Sequence, residues 1–65
     1  MNYLLRILKR GAAAVVLGEY TLITYNDGTM TVRKSPGGLM GPTVKITRKG
    51  LREILNWIDI NENFS

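Results

Sequence analysis

The chain contains no cysteine and no histidine. The first absence excludes disulfides as the staple of a small fold. The two together remove the best ligands of a zinc site and the side chains that most often do nucleophilic and acid-base work near neutral pH. Acidic residues are scarce as well: five Asp and Glu stand against nine Lys and Arg, for a net charge of +4 and an isoelectric point near 9.9. The acids are scattered singly and offer no paired carboxylates, so the expectation is a protein that is not an enzyme and carries no metal or cofactor. Long apolar runs are missing too. The longest uncharged run near the N-terminus, Gly11 to Gly18, falls far short of the roughly 20 residues of a membrane span. Apolar residues precede the charges there and no A-x-A site follows, which disfavours a signal peptide. The expectation is a cytoplasmic protein with no membrane partner.

What is present is enough to fold. Hydrophobic residues make up 45% of the composition, with one Trp, three Tyr and one Phe, as in an ordinary globular domain. Sixty-five residues allow a single domain, 1–65. A chain of this size buries only about 60% of the surface its unfolded form exposes and needs help to be stable. With disulfides and metals excluded, a second subunit is the remaining source, and a homodimer is expected.

Apolar residues at 1, 4, 5, 8, 12, 15 and 16 keep the rhythm of a core-facing helix, with Arg6, Lys9 and Arg10 turned away. Lys9 and Arg10 before Gly11 read as a last helical turn closed by a left-handed glycine, which predicts a helix over about 2–10. Residues 12–17 stay open between more helix and an extra strand, because Val15, Val16 and Leu17 are β-prone. YTLITY, then NDG, then TMTVRK predicts a hairpin turning at Asp27-Gly28. A third strand is expected over Thr43–Thr47, and RKGLREILNWID predicts a helix over about 48–59 with Thr47 as its N-cap. The expected fold is α+β, a three-stranded antiparallel sheet with an N-terminal and a C-terminal helix.

Two groups of residues carry functional expectations. Arg48, Lys49 and Arg52 stand at the start of the last helix, where the helix dipole already presents positive charge and acids are usually favoured. A phosphate there would meet free amides, the dipole and three long bases. Arg33, Lys34 and Lys45, on neighbouring strands, extend this into a basic sheet face, and Thr29, Thr31, Thr43 and Thr47 add hydroxyl donors. This set points to a nucleic-acid-binding protein that grips phosphates. A solvated basic face kept for solubility is the plain alternative. The second group is Leu39, Met40 and Trp57. Leu39 and Met40 lie in KSPGGLMGPT, a loop by its glycines and prolines, and together with Trp57 they would anchor a protein partner in a small regulator or inhibitor. On the loop tip the same pair would also serve as a wedge into a nucleic-acid groove, or fold back over a small core.

The order helix, three strands, helix, with bases at the start of the second helix, is similar in outline to double-stranded-RNA-binding domains. NDGTMTV, a basic strand and GLREILNWI also resemble the HicA-type toxins over roughly the last forty residues. Those toxins depend on a histidine that this chain lacks, so their ribonuclease activity does not carry over. The glycine-rich and lysine-rich signatures of the RNA-binding domains are missing as well.

Overall fold

A computed structural model describes residues 2–63. Helix α1 spans Asn2–Lys9 and is followed by strands β1 (Ala14–Leu17), β2 (Tyr20–Thr24), β3 (Thr29–Lys34), β4 (Leu39–Met40) and β5 (Val44–Lys45), and then by helix α2 (Arg48–Asn63). The α+β class and the flanking helices agree with the sequence; the number of strands does not. All five strands belong to one antiparallel sheet, ordered β1-β2-β3-β4, with β5 also on β3.

Helix α1 ends as the glycine suggests. Gly11 takes a φ of 97°, its amide donates to Leu8 O at 3.2 Å, and the Ala12 amide reaches back to Ile7 O at 3.4 Å. This is a Schellman motif, which satisfies the last helical carbonyls and turns the chain out of the helix. That turn settles residues 12–17: Ala14–Leu17 pair with β2, Val15 opposite Leu22 and Leu17 opposite Tyr20. The β-branched Val15-Val16 pair prevails over the helical spacing once Gly11 has broken the helix.

The β2–β3 hairpin turns at Asn26-Asp27-Gly28, where the Asp27 carboxylate accepts from both the amide and the hydroxyl of Thr29. The loop that follows β3 is shorter than its composition suggests, because Leu39 and Met40 pair with Lys34 and Arg33 as a strand. Residues 41–43 then bulge. Arg33 pairs with Met40, but Met30 pairs with Val44, so two residues of β3 face three of the edge. The bulge covers Thr31, whose hydroxyl donates to Pro42 O at 3.2 Å. It also shortens the expected Thr43–Thr47 strand to Val44–Lys45, since Ile46 and Thr47 already turn toward α2.

Leu22, Met30 and Val32 share one face of the sheet and form a single core with Tyr20, with Leu8 of α1 and with Leu51 and Ile54 of α2. Both helices therefore lie on the same face. The opposite face carries Val16, Thr21, Ile23, Arg33 and Met40, with Thr31 covered by the bulge, and neither helix packs on it. Helix α2 continues past the expected end at 59 to Asn63, helped by the Asn61 side-chain amide donating to Trp57 O at 2.9 Å. Ile60 thus sits on the helix, and Phe64 lies outside the described residues. No helix among the described residues is long and apolar enough to cross a membrane.

Candidate nucleic-acid interface

The start of α2 is built by three contacts. The Thr47 hydroxyl accepts from the Gly50 amide at 3.0 Å and its carbonyl from the Leu51 amide at 2.9 Å, so Thr47 is the N-cap. Lys45 O accepts from the Thr47 amide at 2.8 Å, which ties β5 to the helix. Gly50 packs directly on that same carbonyl, and a Cβ there would overlap the Lys45 oxygen. Glycine at this position lets the first turn of α2 rest on β5. The amide of Lys49, in the first turn, has no intrahelical acceptor.

This junction brings Lys45 and Lys49 to one shallow cleft, lined also by Thr43, Val44, Thr47 and Glu53. Lys49, Glu53 and Arg52 line the next cleft along α2. Lys45, Arg48, Lys49 and Arg52 are all exposed. Spacings of three and four place Arg48, Lys49 and Arg52 side by side on the helix surface away from Leu51 and Ile54. Lys49 and Glu53 have the spacing of a helical ion pair, yet no ion pair joins them among the described residues.

The structure adds a base that the sequence reading did not include. Lys9, in the last turn of α1, lines a cleft with Thr24, Gly28 and Ile46, and the Ile46 amide donates to Gly28 O at 3.0 Å. The end of α1, the β2–β3 turn and the start of α2 therefore meet at one end of the sheet. Five of the nine bases gather there: Lys9, Lys45, Arg48, Lys49 and Arg52. The carboxylates at this end are Glu53 and Asp27. Hydrogen bonds from the Thr29 hydroxyl and then its amide hold Asp27 below the usual aspartate pKa.

Arg33 and Lys34 are elsewhere. They pair with β4, whereas Lys45 pairs with Thr29 at the other end of β3, about 13 Å away at 3.3 Å per residue. They also point to opposite faces. Arg33 lies on the uncovered face, while Lys34 shares the helix-covered face and reaches over the Tyr20 ring, 5.9 Å from its centroid. The expected continuous basic sheet face from Lys34 to Lys45 is therefore not formed. Strand alternation separates its two consecutive members, and the bulge separates β4, which pairs with them, from β5.

Glu19, Glu62 and Tyr20 meet at this second end. The Tyr20 hydroxyl is buried with no hydrogen-bond partner of good geometry. Burial, then the nearby Glu62 and Glu19 carboxylates, raise its pKa above the ordinary phenol value. Trp57 meets the Tyr20 ring edge to face at 6.1 Å, and a Cβ on Gly41 would come within 2.9 Å of it. Trp57 is thus half-buried and packed against the core. Leu39 and Met40 remain 52% and 49% exposed, but as neighbours on a strand they project to opposite faces, so they do not form a single wedge.

No group of three or more His, Cys, Asp or Glu comes together among the described residues in a way that would hold a metal. No known protein family, curated protein or solved structure matches the chain.

Proposed function

We propose that this chain is a nucleic-acid-binding protein that contacts phosphates through its basic end, with Lys45, Arg48, Lys49 and Arg52 as the principal contacts and Lys9 flanking them. The observation that carries the reading is the packing of β5 against the first turn of α2. It sets Lys45 and Lys49 on one cleft beside a helix N-terminus, with the Thr43 and Thr47 hydroxyls in reach. The helix dipole and the bases act on an anion with the same sign, so repulsion that costs stability in the free protein becomes attraction in the complex. Contacts to phosphates carry no sequence information, so binding through them would depend little on sequence.

The test is fluorescence anisotropy with mixed-sequence DNA and RNA at increasing salt. Phosphate binding gives a log affinity that falls linearly with log salt, by about 0.9 for each phosphate neutralised on B-DNA. No binding to either nucleic acid at low salt would refute the reading.

A second reading rests on the exposure of Leu39 and Met40. It makes the β3–β4 hairpin the anchor for a protein partner that grips it from both faces. Leu39→Ser with Met40→Ser would then abolish capture of that partner and leave the melting temperature unchanged.

A further inference from the structure

The two edges of the sheet are built differently. One edge is guarded in the ways soluble proteins guard an edge: β4 and β5 are two residues each, a bulge separates them, β5 carries a lysine, and the first turn of α2 lies against it. The other edge, β1, has none of these. Its sequence Ala-Val-Val-Leu is apolar and uncharged, and its Val16 side chain is 71% exposed.

The pairing with β2 fixes which backbone groups β1 has left to offer. The Thr24 amide donates to Ala13 O at 3.0 Å, so by the alternation of an antiparallel ladder Val15 and Leu17 bond to β2, while Ala14 and Val16 direct N–H and C=O outward. No backbone hydrogen bond joins Ala14 or Val16 to any other element among the described residues.

We propose that two copies of the chain pair through β1, antiparallel and edge to edge, with Ala14 opposite the partner's Val16 and the two-fold axis at Val15. This register lets the outward groups of both strands bond reciprocally. It also sets Val16 beside the partner's Ala14 on the uncovered face and Val15 beside its own copy on the helix-covered face. Charge favours the same direction. β1 begins just after Lys9 and Arg10 and finishes just before Glu19. Antiparallel pairing in this register carries Glu19 opposite the partner's Gly11, next to its Arg10, whereas parallel pairing would set each of these charges beside its own copy.

The experiment is sedimentation equilibrium of the full chain, with Trp57 fluorescence reporting the fold. The native protein should be dimeric at about 100 µM and dissociate on dilution, as mass action requires. Val16→Lys adds a charge to the edge, and Val16→Pro removes an outward N–H without breaking a bond to β2. Each should give a monomer with native fluorescence, and Val16→Lys alone decides if the proline variant does not fold. Glu19→Lys should weaken the dimer about tenfold, and adding Arg10→Glu to the same chain should restore it. A native chain that stays monomeric at that concentration would overturn the proposal, whether or not β1 pairs with a different protein. So would a dimer that survives both Val16 variants, or a charge swap that restores nothing. Because these readouts involve no nucleic acid, they stand or fall independently of the proposed function.

Discussion

The two ends of the sheet are made from the same strands and differ in what meets there. At one end the close of α1, the β2–β3 turn and the start of α2 assemble Lys9, Lys45, Lys49 and Arg52 around backbone contacts. At the other, Tyr20 and Trp57 pack ring against ring, with Glu19 and Glu62 close enough to act on the Tyr20 hydroxyl. The basic end is held by backbone on backbone, Gly50 against the Lys45 carbonyl, and the other end by side chain on side chain. The first arrangement fixes the placement of charges. The second buries area and tolerates adjustment.

Substitution at the two close-packed glycines separates these cases. Gly50→Ala sets a methyl against a carbonyl that has no freedom to move, so β5 and α2 must part. The expected loss is about 1–3 kcal/mol, even though alanine is the better helix former. In a domain of this size each kcal/mol lowers the melting temperature by about 4–8 °C. Gly41→Ala meets the Val32 methyl at 2.5 Å and the Trp57 ring at 2.9 Å, side chains and not backbone. Its loss should be the smaller of the two in a urea titration. A larger loss at Gly41 would invert the contrast between the ends.

Thr47→Ala removes the hydroxyl that caps α2 and should cost about 1 kcal/mol, measured as a lowered urea midpoint. If the basic end is organised as described, nucleic-acid affinity should fall with it, because the first turn of α2 frays. An affinity unchanged by Thr47→Ala would detach binding from the helix start.

The smallest effects lie in the pH dependence, where each end acts on its own side. Asp27 has a lowered pKa in the folded state, so its contribution is present above the ordinary aspartate value of about 3.9 and is lost as pH falls through the folded value. Tyr20 has a raised one. The unfolded chain gives up that proton near pH 10 while the folded chain keeps it, so the contribution is complete below about pH 10 and is lost as pH rises through the folded value. Asp27→Ala should flatten the acid limb of a stability profile and leave the alkaline limb alone. Tyr20→Phe should do the reverse.

Local chemistry was legible in the sequence. Gly11 after two bases gave the end of α1, Asp27-Gly28 gave the hairpin, and Thr47 before RKGL gave the cap, each a signal contained within four or five residues. Parity was legible too, since alternation along TMTVRK already separates Arg33 from Lys34. What escaped was everything set by partners far along the chain. Leu39-Met40 became a strand only because β3 offered a free edge, against the loop composition around it. Lys9 joined the basic end only because the β2–β3 turn and Ile46 come together more than thirty residues later. A single base at the end of a short helix carries no local sign of that destination.

On the proposed function, the basic end and not the sum of positive charge makes the anion site. Arg48→Ala with Lys49→Ala and Arg33→Ala with Lys34→Ala remove the same charge from opposite ends, and their salt dependence of nucleic-acid binding compares them directly. The first pair should lower the slope of log affinity against log salt by about 2, and the second should leave it close to native. Equal losses of slope from the two pairs would contradict the account.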